Sequence, residues 1–381
     1  MHYTSSFLRK SKNKKGNCWI GVLSYKENGK WKQKTKTFSE CKYKRDAKQA
    51  LEEWRTKEES KANLLEKKQT LQDAVENYLS KERALGIISP RTYSDNLRAA
   101  RKVIFPRIGE LVFTQATQEQ IQNFVTEISM IYKPSTVRTY FAILGKTYKD
   151  ALRTNRVLKD VTKDVSLPKY ETKRINYLDK DGRKKFLATI DENSQFYLPA
   201  MIAYYTGMRA GEICGLRWKD INLSIRTIFV EYAAKDYTDA DTGERVQEIG
   251  DTKTHKTRTI TIRPRLKEIL EEKLKEKNPN PEDLVCETKK PALLCTSFQK
   301  WAKRNQILGT LGKPITMHGL RHTFATVGVQ SGMDIRSLAS ILGHENVSMT
   351  LNTYASDDAE AKVIAMDRLD EYMTEEEEND L

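Results

Sequence analysis

The chain has 381 residues, 66 Lys and Arg against 52 Asp and Glu, a formal net charge of +14 and 38% hydrophobic residues, with a mean hydropathy of −0.67. At about 100–200 residues per domain this length calls for two to four domains; no apolar run is long enough for a spanning helix, and the basic start MHYTSSFLRKSKNKK lacks the apolar core of a secretory signal. Five widely spaced cysteines (Cys18, Cys41, Cys214, Cys286, Cys295) without a C-x-x-C pair fit reduced thiols in a cytoplasmic protein and exclude a disulfide framework or a cysteine zinc site.

Residues 1–50 carry 14 Lys/Arg against 3 Asp/Glu, a concentration of charge that points to a polyanion. Within them CWIGVLSY and WKQKTKTF flank a turn containing Asn28 and Gly29, the pattern of a β-hairpin, and Tyr3–Leu8 supplies a third strand. Ala47, Ala50, Leu51 and Trp54 recur at helical spacing, so a helix covers that small sheet. The module spans 1–65, with Lys32, Lys34 and Lys36 as its candidate nucleic-acid contacts. Its aromatic residues are equally well explained as core.

Residues 69–160 read as four amphipathic helices. Thr70-x-x-Asp73 is a capping box before Leu71, Ala74, Val75, Tyr78 and Leu79. Ser89-Pro90 opens the second helix, Thr117-x-x-Gln120 the third and Ser135 the fourth. A linker around Pro168 leads to a mixed α+β domain over 175–381. There the apolar helix FYLPAMIAYYTGM is followed by TIFVEY and VQEIGDTKTHKTRTITI as antiparallel strands, with helices resuming at Pro264–Lys277. Val363, Met366, Leu369 and Met373 share one face of a helix over Ala359–Met373, and the acidic end EEEEND is solvated. The fold class is therefore multidomain, mainly α with small β elements.

Four segments of the last domain carry reactive residue types: TGMRAGEICGLRW with Arg209, TKTHKTRTITI with Lys253, TMHGLRHTFAT with His318 and Arg321 three apart on one helix face, and LASILGHENVSMTLNTYA with His344 and Tyr354. Singly each has an ordinary explanation. An arginine near a helix start is usually an ion-pair partner, and a lysine among Lys256, Arg258 and Arg263 is charge decoration. A late tyrosine is more often core than nucleophile. Their combination and order change that balance.

The order T-G-x-R-x-x-E-x-x-x-L (Thr206, Gly207, Arg209, Glu212, Leu216), hairpin Lys253, H-x-x-R (His318, Arg321), L-G-H (His344) and Tyr354 resembles the tyrosine recombinase, or phage integrase, family. The resemblance implies a catalytic domain over about 175–358, a core-binding identity for the four-helix domain and an arm-binding one for the basic N-terminal module. It implies that Tyr354 attacks a scissile phosphate to give a 3′-phosphotyrosine and a free 5′-hydroxyl. Two guanidiniums, Arg209 and Arg321, would clamp the non-bridging oxygens with a fork that lysine lacks. Lys253 would protonate the leaving oxygen, His318 would assist proton transfer at Tyr354, and His344 would position the phosphate. Lys253 has the better claim over Lys256 because the family places this lysine about five residues before an arginine, here Arg258; both Lys256 and Arg258 also stand as candidate DNA contacts. Glu212 would orient Arg209 or another active-site group from behind.

Neither metal, ATP nor any other cofactor is implied, and the sequence has no Walker A loop or HExxH spacing. The expected partners are double-stranded DNA at core and arm sites and three further copies of the chain, with an excisionase or host DNA-bending protein as accessory; no membrane partner is expected. The competing readings are a type IB topoisomerase-like relaxing enzyme, which needs no arm module, and a DNA-binding protein that has lost catalysis, against which the intact set of six residues speaks.

Overall fold

The computed structural model describes residues 3–13, 16–27, 30–66, 69–170, 174–251, 257–344, 346–354, 363, 366–367 and 370. The chain divides into two compact units, residues 1–171 with 240–242, and residues 172–239 with 243–381.

The first unit begins with an antiparallel sheet of order β1 (Tyr3–Asn13), β2 (Gly16–Glu27) and β3 (Lys30–Phe38). The first strand runs well past Leu8, and the expected turn residues Asn28 and Gly29 lie outside the described residues. Helix α1 (Lys44–Glu66) lays Leu51 and Trp54 on Leu23 and Phe38, so one face of the sheet is buried and the other is open.

A second, separate apolar cluster is built from α2 (Leu71–Ala84), α3 (Pro90–Ala99), α4 (Phe105–Ile108), α5 (Gln118–Ile131) and α6 (Pro134–Arg153). The expected capping box forms in both directions, Asp73 N–H donating to Thr70 Oγ1 at 3.1 Å and Thr70 N–H to Asp73 Oδ2 at 3.0 Å, and Thr117 and Gln120 at the third helix start make the same exchange. A π-helical turn, Ala100–Ile104, joins α3 to α4. The last helix starts one residue earlier than its serine suggests. Pro134 takes the first helical position after Lys133, since its fixed φ favours the start without a side-chain cap.

The second unit holds α7 (Lys180–Thr189), α8 (Tyr197–Thr206), α9 (Ala210–Gly215), five strands and the remaining helices, with one large core and a smaller cluster of Ala325, Leu338 and Leu342. Strands β4 (Ile221–Asn222), β5 (Thr227–Val230), β6 (Tyr232–Thr238), β7 (Arg245–Asp251) and β8 (Arg258–Thr261) form two sheets rather than one, β4-β5-β8 and β6-β7. The stretch TIFVEY is split: Phe229 pairs with Thr259 in one sheet, while Tyr232 pairs with Asp251 in the other.

Helices α10 (Pro264–Lys277), α11 (Pro291–Arg304), α12 (Met317–Gln330), α13 (Ile335–Leu342) and α14 (Val347–Tyr354) complete the unit. Of the expected helix over 359–373 only Val363, Met366, Asp367 and Asp370 are described; all four are helical, and Val363 and Met366 are exposed. The rest of it and EEEEND lie outside the described residues. No helix of the described residues is long and apolar enough to cross a membrane, and all five cysteines are unpaired.

Candidate active site

The site begins where α8 stops. Thr206 Oγ1 donates to Ile202 O at 2.5 Å and accepts from Met208 N–H at 3.2 Å, and Gly207 caps the helix at φ 68°. A side chain at Gly207 is excluded twice: the left-handed backbone disfavours it, and a Cβ would lie 2.6 Å from Phe324 Cδ1. This turn delivers Arg209 to the start of α9, where Glu212 occupies the third helical position. Arg209 N–H donates to Glu212 Oε2 at 2.8 Å and its Nη1 to Oε1 at 2.9 Å.

Helix α12, capped by Thr316 Oγ1 accepting from Gly319 N–H at 2.9 Å, brings in His318 and Arg321. Arg321 is 1% exposed, donating Nη1 to Gly207 O at 2.7 Å and Nη2 to Leu342 O at 2.8 Å. Arg209 keeps 30% of its side chain exposed. A third guanidinium joins them: Arg258 grips both oxygens of Glu212, Nη1 to Oε1 at 3.1 Å and Nη2 to Oε2 at 2.7 Å.

The C-terminal turn of α13 ties these groups together. Its last carbonyls have no partner within the helix and carry the negative end of the helix dipole. Ile341 O accepts from Arg258 Nε at 2.7 Å, Leu342 O from Arg321, and Gly343 O from Arg209 Nη2 at 3.1 Å. Gly343, at φ 66°, makes the turn that lets three successive carbonyls face three arginines. His344 follows, its Nδ1 2.8 Å from the hydroxyl of the buried Thr350 on α14. Tyr354 ends α14 one helical turn beyond Thr350; its side chain, and all of Lys253 and Lys256, lie outside the described residues. Those two lysines belong to the connection from β7 to β8.

Two guanidiniums, Arg209 and Arg258, therefore share one carboxylate while Arg321 is held by backbone carbonyls, and the local charge among the described residues is positive. Burial opposes ionisation of Glu212, but the hydrogen bonds and charge of Arg258, followed by those of Arg209, hold its carboxyl below the usual carboxylate range. The histidines move the other way. Desolvation, then the charges of Arg321 and Arg209, lower the His318 pKa although part of its ring meets solvent. The same causes in the same order bring His344 down to about 4. His322, whose ring is 4.4 Å from that of His318, falls to about 3 through desolvation and then the charge of its neighbour. All three are neutral at pH 7.

A histidine depressed in the folded state leaves the unfolded chain to bind its proton first, from the ordinary value of 6.5 downwards. Stability of this unit is therefore expected to be complete above pH 7 and to fall as the pH drops from 6.5 towards 4. Urea midpoints at pH 7.5 and 5.5 check this. His322→Asn should make the fall shallower, and an equal or higher midpoint at pH 5.5 would contradict the assignment.

Two sets of candidate DNA contacts sit differently from the sequence reading. Arg258, with its side chain 8% exposed and its donors on Glu212 and Ile341, is not a surface cation. In the N-terminal sheet, Lys32, Lys34 and Lys36 pair with Tyr25, Leu23 and Gly21, which puts them on the same face as α1, although all three remain exposed. Lys34 bonds the buried Glu58 of α1, and Lys36 lies over the Phe38 ring. The open face carries Phe7, Arg9, Trp31, Gln33 and Thr35, which are exposed as well. Strand alternation from Phe38 could have shown this, since even-numbered residues of β3 follow that buried ring. Among the described residues no group of three or more His, Cys, Asp or Glu could hold a metal ion.

Residues 176–361 match the model described as the phage integrase family. The tyrosine recombinase XerD of Staphylococcus epidermidis is 28% identical over 263 residues, covering 67% of this chain and 78% of the relative, and XerD of Staphylococcus aureus aligns with the same identity and coverage. Among solved structures, the Tn1549 transposon integrase in complex with transposon right end DNA aligns at a TM-score of 0.65 and 21% identity over 78% of this chain and 99% of that one. A lambda integrase dimer bound to a COC′ core site aligns at 0.57 and 17% over 91% and 94%. The structures share the fold, and the motif order lies within the matched segment. Over that segment the chain is similar to the phage integrase family, the tyrosine-type site-specific recombinases.

Proposed function

We propose that this recombinase integrates and excises a mobile element, a prophage or a conjugative transposon, by cutting and rejoining DNA through a 3′-phosphotyrosine and a Holliday junction. The observation that carries the reading is the gathering of Arg209, Arg321 and Arg258 on three successive carbonyls at the C-terminal end of α13, with a single carboxylate, Glu212, bonded to Arg209 and Arg258, beside His318 and His344. Such an excess of guanidinium charge suits a phosphodiester whose oxygens gain negative charge on the way to a pentacoordinate transition state.

In this reading the Tyr354 oxygen forms a bond to phosphorus as the 5′-oxygen leaves; Lys253 gives that oxygen its proton, and His318, neutral at pH 7, takes part in removing the tyrosine proton. Arg209 receives one non-bridging oxygen on its open edge. Arg321, almost wholly buried in the free protein, meets the other once DNA binding has rearranged the carbonyls around it. Resealing is the same step run backwards with the partner strand's 5′-hydroxyl, so bond energy is conserved. Four copies would act together on DNA inside the cell, with the segment after Tyr354 docking on a neighbour. The XerD relatives and the DNA complexes of the Tn1549 and lambda integrases support a DNA substrate. The match to an integrase model favours this reading over a relaxing enzyme or a silent binding protein.

The test is to trap the full chain on nicked suicide duplexes spanning the left and right junctions of the element that encodes it. A covalent adduct that survives denaturation on junction DNA alone supports the reading, and no adduct on either junction would sink it.

The N-terminal module would hold separate arm sites with its open sheet face, since a β-ribbon fits the major groove. Arg9→Ala with Trp31→Ala should weaken arm-site binding and flatten its salt dependence, whereas Lys34→Ala should change the slope less, because that ammonium already has Glu58. Binding titrations over a range of salt concentrations measure both.

A further inference from the structure

We infer that Arg258 is a positioning residue for strand transfer: it fixes Glu212, and through Glu212 the guanidinium of Arg209, against the C-terminal end of α13. The inference deepens the reading of Arg209 as a phosphate ligand and rests on it.

The geometry is specific. Glu212, its side chain 3% exposed, accepts on both oxygens from Arg258 at 3.1 and 2.7 Å, and on the same two oxygens from the Nη1 and backbone N–H of Arg209. The third nitrogen of Arg258, Nε, donates to Ile341 O at 2.7 Å. Arg258 thus spans from α9 to α13, while Arg209 closes the same loop by donating to Gly343 O. Gly343 is part of the fit: a Cβ there would lie 2.9 Å from Arg258 Nη1. Only a planar fork with a separate Nε–H can serve two carboxylate oxygens and a carbonyl at once, so lysine would keep the charge but lose the arrangement.

Arg258 also opens β8, immediately after the segment that contains Lys253. One side chain therefore anchors both the partner of Arg209 and the end of the Lys253 segment. Without it, the buried Glu212 carboxylate must satisfy its vacated lone pairs from Arg209, drawing that guanidinium towards α9 and away from the phosphate. This predicts a defect in chemistry rather than in DNA affinity, since Arg258 itself is buried.

The experiment uses the full chain and the nicked junction duplex, with adduct formation followed in a single turnover at saturating protein. Arg258→Met should slow adduct formation at least about 100-fold, and Arg258→Lys about tenfold, with duplex Kd within about threefold of wild type for both. If Arg258→Met does not fold, Arg258→Lys carries the test alone.

A second substrate separates positioning from general damage. A scissile methylphosphonate replaces one charged oxygen with a neutral methyl group and asks less of Arg209, so the deficit of the variants should shrink on it. Rates within about threefold of wild type, a loss confined to Kd, or the same deficit on both substrates would each overturn the proposal. A wild-type chain that forms no adduct would overturn the functional reading and this inference with it. Wild-type cleavage combined with any of those three results removes only the role of Arg258.

Discussion

Tyr354→Phe is expected to abolish the covalent protein–DNA adduct, a loss of at least about 10⁴-fold, while leaving junction-DNA affinity within about twofold of wild type. The substitution removes one oxygen and keeps the ring at the last position of α14. No other group in the described site is a ready substitute. The three histidines are neutral at pH 7 but stand beside guanidinium charges, and Thr350 Oγ1 is buried and engaged with His344. The thiol of Cys214, pushed up to about 12 by burial and then by the neighbouring Cys295, is a poor nucleophile at neutral pH. Denaturing gels of the suicide-duplex reaction read the adduct, and gel shifts of the same samples read binding. An adduct that persists in Tyr354→Phe would move the nucleophile elsewhere; a parallel loss of binding would mean that α14 is part of the DNA grip.

What could be read in advance was what local chemistry dictates. The Thr70 capping box, the Ser89-Pro90 and Thr117 starts and the helix over Pro264–Lys277 depend on residues within one turn of each other, and they appear as read. The turn at Thr206-Gly207 and the Leu342-Gly343 stop are legible for the same reason, because a helix that ends in a left-handed residue favours glycine. What escaped depended on distance along the chain. Arg258 stands in a basic run and reads as solvated charge. It becomes buried only because Glu212, 46 residues earlier, and Ile341, 83 residues later, close on it. Lys34 likewise finds Glu58 across the sheet–helix interface. The splitting of TIFVEY between two sheets has the same origin, since register with β7 and β8 is set by partners that periodicity along one strand does not name. Motif residues were thus visible one by one, while the carbonyl ladder of Ile341, Leu342 and Gly343 that aligns them was not.

That ladder makes Glu212 the residue whose loss should be felt most widely. Glu212→Gln preserves shape but removes the one carboxylate among the described residues that Arg209 and Arg258 share. A neutral amide has a single acceptor oxygen where the carboxylate accepts four donors, and its NH₂ group would face a guanidinium. Breaking a buried ion pair from one side costs about 3–5 kcal/mol, because the partner charge stays buried without compensation. In a unit of this size the melting temperature should then drop by about 6–20 °C. The exposed Glu282, paired with Arg217 and Lys219, supplies the control: its replacement by Gln should leave the midpoint unchanged, since solvent screens that pair. Adduct formation by Glu212→Gln, measured well below its new midpoint, should still be at least about 100-fold slow, because Arg209 has lost the group that sets its direction. Wild-type stability in this variant would mean that the three carbonyls of α13 hold the arginines by themselves. A normal rate in the folded variant would mean that Arg209 reaches the phosphate without being aimed.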